Sequence, residues 1–479
     1  MEQYRSFIFD SYSFDPEGGK IELHYSLDDS VHFTETILLP ASDTLPPTPP
    51  REATLFALHL IGGISYYKTC CPKTIEIRSG NLTKEQADFW NTVYSKGLGE
   101  FFFRNKIDFR GLINFPSALS PIPSPMTRQG RRGGSRRLLV PLGGGKDSTV
   151  TVELLKKAGE DVTLFRIGHH PLIKETAKIA GLPMITVERH LAPELFRLNA
   201  EGALNGHVPI TAYLSILTAV IAELYGFDAV VLSNERSASE GNTGYLGEKI
   251  NHQWSKSLEF ERMLRQELKN IGSPVEYFSL LRPLSELSIA KIFATLPQYF
   301  PCTTSCNTNW KLSSIPPPLP PEEEGETPYA EINNKHIHSP SPRERGQGGE
   351  ERIGRGGGGR WCGICPKCAF AFAVLAAFIP KEKLLAMFGK DLFDEDALQP
   401  FYRELLGLEG FKPFECVGTP EETQAAFLLA HEHGDLDRSK AMKLFLEKVM
   451  PTLKQPKKLI EEALKPSSDH CIPTLFQSF

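Results

Sequence analysis

The first part of the chain alternates apolar and polar residues with a period of two. Within one stretch the apolar members of the alternation are Ile21, Leu23, Tyr25 and Leu27. Because successive side chains of a strand point to opposite faces, this pattern predicts a β-strand with one buried face. Turn-forming residues at 17–19 and 28–30 divide residues 1 to about 40 into an antiparallel meander. We interpret residues 1–115 as an accessory α+β domain and residues 116–137 as a linker.

From Arg137 onward short apolar runs alternate with stretches of helical periodicity. The predicted strands are residues 138–142, 161–168, 183–189 and 228–236. The predicted helices are residues 149–158, 173–181 and 209–225, and a long helix from just after Gly247 to Asn270. Strands that alternate with helices indicate right-handed βαβ units and a parallel sheet. The fold class is therefore α/β, with the parallel sheet in a domain that spans residues 138–312.

Composition sets two further segments apart. Residues 313–360 contain 8 prolines and 9 glycines in 48 residues, which exceeds the roughly 25–30% typical of disordered segments. Such a stretch buries too little apolar surface to offset the entropy lost on ordering. We predict a disordered insertion there, followed by a cysteine-containing segment and a helical C-terminal region over residues 361–479.

Length, charge and hydropathy limit the classes of protein that fit. A chain of 479 residues exceeds the usual size of a single core, so more than one domain is expected. The formal charge of -5 gives no general attraction to nucleic acid. The longest apolar run, residues 369–379, is shorter than the ~20 residues that cross a bilayer, and the N-terminus does not resemble a signal peptide. We expect a cytoplasmic protein with no nucleic-acid or membrane partner and leave its oligomeric state open.

A glycine-rich loop lies between the first predicted strand of the α/β domain and the helix that follows. Its residues are Gly143, Gly144, Gly145, Lys146, Asp147 and Ser148. Glycines let the backbone approach an anion, and backbone amides at a helix N-terminus favour negative charge. Ser148 can donate to a phosphate oxygen, and Asp147 suits a magnesium ion bound to phosphates. The spacing fits neither the Walker A motif nor the dinucleotide motif, so it predicts another kind of phosphate site.

Five of the nine cysteines fall in one region of the sequence: Cys302, Cys306, Cys362, Cys365 and Cys368. The last three follow a CxxCxxC spacing, and either of the first two could complete a tetrahedral zinc site. A group of reduced core cysteines is the alternative. A redox role lacks the βαβ context of thioredoxin-like motifs. We predict a structural zinc site.

The glycine loop resembles the SGGxDS signature of the PP-loop ATP-pyrophosphatases, with Gly143 in place of the serine. The resemblance spans roughly residues 138–300 and includes SNER at 233–236, at the end of the fourth predicted strand. It implies the adenine nucleotide alpha-hydrolase-like fold, with the loop binding the phosphates of ATP and Mg²⁺. It also implies that ATP is cut between its α- and β-phosphates and that the substrate is adenylated.

Two narrower resemblances follow. The order RPLSELSIAKI, SCN and CGICPKC resembles the 7-cyano-7-deazaguanine synthases, which implies the zinc ligands Cys306, Cys362, Cys365 and Cys368. As a whole, the chain resembles the ATP-dependent UDP-N-acetylmuramoyl-L-alanyl-L-glutamate epimerases, on the phrases VPLGGGKDS, SNERSAS, NHQWSKSLEFE and WCGICPKCAFAF. This resemblance implies an isomerase of peptidoglycan precursor synthesis that uses ATP and takes a UDP-MurNAc-dipeptide as substrate.

The resemblance also implies how ATP takes part in the reaction. Adenylating the α-carboxylate of glutamate removes the negative charge that opposes loss of the Cα proton, and a base and an acid can then exchange that proton. The candidate catalytic residues are Asp147, Glu235, His252 and Lys256, with Arg236 as a clamp for a carboxylate or phosphate. Two alternatives stay open: another adenylating PP-loop enzyme of the amide-forming, deazaguanine- or tRNA-modifying type, and a non-catalytic nucleotide-binding regulator.

Overall fold

The computed structural model describes residues 4–40, 49–118, 136–306 and 360–476. Most of the predicted linker, and all of the predicted insertion except Arg360, lie outside the described residues. Within the described part of the chain, every helix is too short or too polar to cross a membrane.

The described residues contain eleven strands, nine of which form one sheet. The strands are β1 (Ser6–Asp15), β2 (Lys20–Leu27), β3 (Val31–Leu38), β4 (Thr74–Ile77), β5 (Arg137–Pro141), β6 (Asp161–Ile167), β7 (Met184–His190), β8 (Ala229–Leu232), β9 (Thr243–Tyr245), β10 (Glu248–Ile250) and β11 (Glu276–Ser279). The order in the sheet is β11-β8-β5-β6-β7-β3-β2-β1-β4. Strands β11, β8, β5, β6 and β7 run parallel to one another. The alternation of strands and helices predicts β5 to β8 as parallel strands, and β11 adds a fifth that it does not predict.

The predicted meander β1–β3 is also confirmed, and it extends the parallel strands within the same sheet. Strand β3 pairs antiparallel with β7, with Leu38 opposite Glu188. The α/β class is therefore confirmed. The narrower PP-loop fold and the proposed domain boundaries remain predictions.

The helices flank this sheet and make up most of the chain after residue 360. They are α1 (Glu52–Gly62), α2 (Ile64–Tyr67), α3 (Lys84–Gly97), α4 (Gly99–Asn105), α5 (Lys146–Lys157), α6 (Pro171–Ala180), α7 (Pro193–Ala200), α8 (Ile210–Tyr225), α9 (Leu258–Asn270), α10 (Glu286–Phe293), α11 (Pro366–Ala376), α12 (Lys381–Phe388), α13 (Gln399–Leu405), α14 (Pro420–His433), α15 (Lys440–Leu444) and α16 (Pro456–Leu464). The helical character predicted for the C-terminal region is confirmed.

Alternating residues of β5 enter two different cores. Leu139 packs in a core that includes residues of α1, α8 and α9, whereas Leu138 and Val140 pack in a core with residues of α5, α10 and α11. Burying one such side chain contributes about 1.5–3 kcal/mol. Because both faces are covered, the sheet leaves the carboxyl ends of its parallel strands as the place for a ligand.

The helix predicted from just after Gly247 to Asn270 is wrong in its first part, because α9 begins only at Leu258. Residues 243–250 form the β9–β10 hairpin instead. Leu246 and Gly247 adopt positive φ angles of 52° and 88°, which make the hairpin turn. Ser257 then caps α9 by accepting a hydrogen bond from the backbone N–H of Phe260 at 3.2 Å.

Candidate active site

The glycine loop connects the carboxyl end of β5 to the first turn of α5. Gly144 has a φ of +79°, and a Cβ atom there would lie 2.9 Å from Cγ1 of Ile173, so only glycine fits. A Cβ atom at Gly143 would meet no atom within 4 Å, which leaves room for the serine of the SGGxDS signature. Helix α5 begins at Lys146, three residues before its predicted start. The first-turn amides of a helix lack intrahelical acceptors, so this end of α5 suits an anion.

Two buried polar atoms without a hydrogen-bond partner among the described residues lie at the same edge of the sheet. They are Nη1 of Arg166, near the end of β6, and Oγ of Ser233, directly after β8. An unsatisfied buried donor costs about 1–3 kcal/mol, so both atoms favour the binding of a polar ligand at this edge. The sequence indicates Ser233 through SNER but gives no sign of Arg166, which lies inside an apolar strand outside any motif.

Lys146 points into the protein, where its Nζ contacts the carboxylates of Asp147 and Glu286. Burial opposes the charge of Lys146, but Asp147 and Glu286 together raise its pKa above the usual value. Glu286 begins α10 and also lies 3.7 Å from Nζ of Lys367. The side chain of Asp147 is 30% exposed, which leaves it accessible to a bound ion.

Glu235 lies just beyond β8, and Arg282 fixes its backbone. The guanidinium of Arg282, only 1% exposed, donates to the carbonyls of Glu235 at 2.6 Å and of Lys256 at 2.7 Å. The same group is paired with the buried Glu261 at 2.8 Å. Burial, reinforced by the nearby carboxylates Glu286 and Glu422, raises the pKa of Glu235 to about 8. Glu235 is therefore a neutral acid near pH 7.

His252 follows β10 and forms an ion pair across the structure with Glu100 of α4. Its Nδ1 contacts Oε2 of Glu100, and Nδ1 of His207 lies 3.6 Å from the same oxygen. Burial lowers the pKa of His252, but hydrogen bonds to Cys416 and Glu100 outweigh this and raise it to about 9. His252 therefore carries its proton at neutral pH.

Lys256 ends in contact with Cys416, a cysteine that the sequence analysis does not single out. The Nζ of Lys256 donates to the Sγ of Cys416 at 3.1 Å. Burial lowers the pKa of Lys256, but Cys416 and the charges of Asp147 and Glu235 raise it overall. A lone cysteine in FECVG has no informative spacing to mark it, so only the fold shows that it joins His252 and Lys256.

The side chain of Arg236 contacts the segment around α16. Its guanidinium donates to the carbonyl of Lys465 at 2.9 Å and to that of Ala463, in α16, at 3.4 Å. Arg236 also lines a cavity of about 220 Å³ together with Ser237 and Glu422. Its described contacts therefore fix the C-terminal region, and its role as a substrate clamp stays a prediction.

The structure brings the predicted zinc ligands together. Ligand atoms of Cys306, Cys362, Cys365 and Cys368 all lie within 4.8 Å of one another. Cys302 lies apart, with its Sγ accepting from Oγ1 of Thr176 at 3.4 Å. Hydrogen bonds from the other cluster thiols, Cys306 first, lower the pKa of Cys362. Four sulfur ligands at this separation match the donor set of a structural zinc site.

The cysteine cluster also supports the glycine loop. Thr304 donates its backbone N–H to the carbonyl of Gly144 at 2.9 Å, and its hydroxyl donates to the carbonyl of Arg360 at 2.5 Å. Thr304 and Arg360 each lie two residues before a cluster cysteine, Cys306 and Cys362. A group that stabilises the cysteine cluster would therefore also stabilise the segment of Thr304, which is hydrogen-bonded to the glycine loop.

Comparisons with known proteins match most of the chain. Residues 1–280 match the family model described as the MurL N-terminal domain, and residues 352–460 match the MurL C-terminal domain. A UDP-N-acetyl-alpha-D-muramoyl-L-alanyl-L-glutamate epimerase of Xanthomonas oryzae pv. oryzae is 36% identical over 98% of this chain and 96% of its own length. Proteins of the same name from Salinispora tropica (39% identical, 90% of this chain and 86% of the relative) and Micromonospora sp. (35%, 99% and 97%) are also similar.

The chain belongs to the UDP-N-acetyl-alpha-D-muramoyl-L-alanyl-L-glutamate epimerase family. It is thus an enzyme of the isomerase class, as the sequence predicts, and the non-catalytic alternative is set aside. In this epimerase family member the sequence-derived candidates form two neighbouring groups. Asp147 and Lys146 lie at the loop, while His252 and Lys256 converge on Cys416.

Proposed function

We propose that the chain inverts the terminal L-glutamate of UDP-MurNAc-L-Ala-L-Glu to D-glutamate in peptidoglycan precursor synthesis, with ATP consumed to AMP and pyrophosphate. The observation that carries this proposal is the similarity over nearly the full length to three proteins named for that epimerisation. A further support is that the glycine loop and a group of titratable side chains lie near enough for the charge of Asp147 to raise the pKa of Lys256.

The glycine loop suits the phosphates of ATP. Gly144 allows close backbone approach, the first turn of α5 offers amides, and the unsatisfied donors of Arg166 and Ser233 lie at the same sheet edge. Such donors stabilise charge that develops when the phosphate chain is cut. The partly exposed carboxylate of Asp147 would hold Mg²⁺, which would neutralise the charge of the phosphates.

Adenylation of the glutamate α-carboxylate prepares the Cα proton for removal. A carboxylate already carries a negative charge, so a carbanion beside it is strongly disfavoured, whereas the acyl carbonyl of the adenylate carries no charge and can take up the new one as an enolate. Proton removal from one face and return to the other then inverts the centre, and hydrolysis of the adenylate by water releases AMP and the D-glutamyl carboxylate. Glu235 is protonated at neutral pH and is our candidate for the acid that returns the proton.

We further propose that Cys306, Cys362, Cys365 and Cys368 hold one structural zinc ion. The four sulfurs have the number, chemistry and proximity that a tetrahedral site requires. Since Thr304 links this cluster to Gly144, the zinc ion would stabilise the geometry of the nucleotide loop and take no part in the chemistry.

The direct test is incubation of the protein with ATP, Mg²⁺ and UDP-MurNAc-L-Ala-L-Glu in heavy water. We expect AMP, pyrophosphate and a D-glutamyl product with deuterium at Cα. ADP as the product would contradict the loop assignment. AMP formation without deuterium at Cα would show that the adenylate serves another acceptor, and inversion without ATP would remove the adenylate from the mechanism.

A loop variant tests the nucleotide step separately. Asp147→Ala should abolish AMP formation, because the phosphates and Mg²⁺ would lose their carboxylate ligand. The matched control is Asp161→Ala, an exposed aspartate at the opposite end of the neighbouring strand β6. This control should leave AMP formation within about twofold of the parent, since exposed substitutions rarely perturb the fold.

A further inference from the structure

Cys416 occupies a position that is enclosed by cations yet still partly open to solvent. Lys256 donates to its Sγ at 3.1 Å, and His252 forms a hydrogen bond with the same side chain. From α11, Nζ of Lys367 contacts the carbonyl oxygen of Cys416. Three cationic side chains from two separate segments therefore converge on one cysteine.

These contacts favour the thiolate. Burial alone would raise the pKa of Cys416, but Lys256, His252 and Lys367 lower it to about 5. Its neighbour Glu415 is a half-buried acid whose pKa burial raises to about 7. At neutral pH the sulfur is therefore an anion, while Lys256 and His252 keep their protons.

The amino group of Lys412 is a second feature of this place. The Nζ of Lys412 is buried and has no hydrogen-bond partner within the described part of the chain. Burial lowers the pKa of Lys412, and the charges of Glu235, Glu422 and Cys416 oppose this effect. A buried amino group that senses the charges of both the candidate acid and the thiolate suits an anionic group of a substrate, such as a carboxylate.

Asp147 is assigned to Mg²⁺, and the other sequence-derived candidates for acid and base lack a proton acceptor. Glu235, His252 and Lys256 all hold a proton at neutral pH, so none of them begins the cycle as a base. We propose that the thiolate of Cys416 is the catalytic base that removes the Cα proton from the substrate's glutamate. This inference rests on the proposed function and adds to it the group that performs its central step.

The Cα–H bond breaks and an S–H bond forms on Cys416, while the electron pair of the broken bond becomes the enolate of the adenylated carboxyl group. Glu235 then donates its proton to the opposite face of Cα as that enolate collapses. The thiol releases its proton to solvent and the Glu235 carboxylate takes one up, which returns both groups to their starting states.

The experiment separates proton transfer from adenylation in the full-length protein. Cys416→Ser and Cys416→Ala are compared with the parent for exchange of labelled pyrophosphate into ATP in the presence of UDP-MurNAc-L-Ala-L-Glu, and for loss of deuterium from a Cα-deuterated substrate. Pyrophosphate exchange reports adenylation alone. We expect it to stay within about threefold, while Cα exchange falls by roughly 10²–10⁴-fold, the usual contribution of a general base.

Cys70→Ser is the matched control, because Cys70 is partly exposed like Cys416 but burial raises its pKa to about 11. It should change neither rate. Failure of the parent protein to exchange pyrophosphate would reject the proposed function itself, independently of Cys416.

Three results would overturn the role of Cys416. Cα exchange that survives in folded Cys416→Ser would exclude the thiolate as the base, and its loss in Glu415→Gln alone would point to the neighbouring carboxylate. Loss of pyrophosphate exchange in folded Cys416→Ser would place the cysteine in the nucleotide step. A covalent substrate adduct on Cys416 after acid quench would show that the sulfur attacks the carbonyl carbon, not the Cα proton.

Discussion

The cysteine cluster and Cys416 both place sulfur where it can be an anion, but they differ in the source of the balancing positive charge. In the cluster, four sulfurs lie within 4.8 Å of one another, and thiolates so close repel one another unless a cation binds between them. At Cys416 the protein itself supplies the cations, with Lys256 only 3.1 Å from the sulfur.

This difference separates a structural role from a chemical one. A metal-bound cluster has all its sulfur ligands occupied, so it can only hold the chain together. Cys416 keeps a free lone pair and partial access to solvent, as a proton-transfer group requires. Both sites are linked to the glycine loop. Thr304 joins the cluster to Gly144 by a hydrogen bond, and the charge of Asp147 raises the pKa of Lys256.

The largest expected effect comes from breaking the cluster. Cys368→Ser removes a completely buried thiol of the proposed zinc site, and structural zinc sites contribute about 10–16 kcal/mol of coupled folding energy in small peptides. We expect zinc content to fall from about one ion per chain to nearly none, and the thermal unfolding midpoint to drop by roughly 10 °C or more. Elemental analysis and calorimetry measure the two quantities.

The same substitution at Cys416 serves as the control for this comparison. Cys416→Ser should keep the zinc content at about one ion per chain, because Cys416 is not one of the four clustered sulfurs. A zinc-free preparation of the parent that is fully folded and as stable as the purified protein would contradict the structural role of the cluster.

The sequence predicts the cluster but not the Cys416 site, for a physical reason. Ligands of a tetrahedral metal site come from tight turns, so the CxxCxxC spacing is local and visible in the chain. Cys416 is activated by residues 160 positions away in the chain, as its bond to Lys256 shows, and only tertiary packing creates that contact. The same reasoning applies to Arg166, which becomes notable only when its Nη1 is found buried and unpaired.

The fold shows a similar division between local and non-local information. The meander and four strands of the parallel sheet, β5 to β8, follow from local periodicity and are confirmed, whereas the periodicity does not predict β11. The junction of β3 with β7 depends on residues far apart in sequence, and no local pattern indicates it. The wrong start of α9 arises because apolar spacing alone does not reveal the hairpin turn at Leu246 and Gly247.

A smaller effect is expected from the clamp that positions the cationic side of the Cys416 site. Arg282→Met removes a buried guanidinium that pairs with Glu261 and holds the carbonyls of Glu235 and Lys256. Removing one partner of a buried ion pair typically costs 3–5 kcal/mol, so we expect a loss of about that size in the free energy of unfolding by urea.

The control is Arg262→Met, which breaks an exposed pair with Asp469 and should cost less than about 1 kcal/mol. Equal losses for the two variants would contradict the clamp.

The smallest expected effect comes from removing a positive charge beside Cys416 while its sulfur is kept. In the parent the pKa of Cys416 is lowered to about 5 and that of Cys70 is raised to about 11. Because only the thiolate reacts with iodoacetamide, labelling of Cys416 should rise with pH through about 5 and be nearly complete at pH 7, where Cys70 remains unreactive. Mass spectrometry of the two peptides follows both cysteines in one sample.

Lys256→Met should move the labelling midpoint of Cys416 upward, because the thiolate loses the ammonium that stabilises it at 3.1 Å. We expect a shift of about one pH unit or more, equivalent to about 1.4 kcal/mol. Below both midpoints the labelling rate should therefore fall about tenfold, and above both midpoints it should be unchanged. Lys249→Met, which removes a lysine with a 66% exposed side chain paired to Glu240, should leave the midpoint in place. A profile for Lys256→Met that superimposes on that of the parent would show that Lys256 does not stabilise the thiolate. Another cation would then have to balance the charge of Cys416.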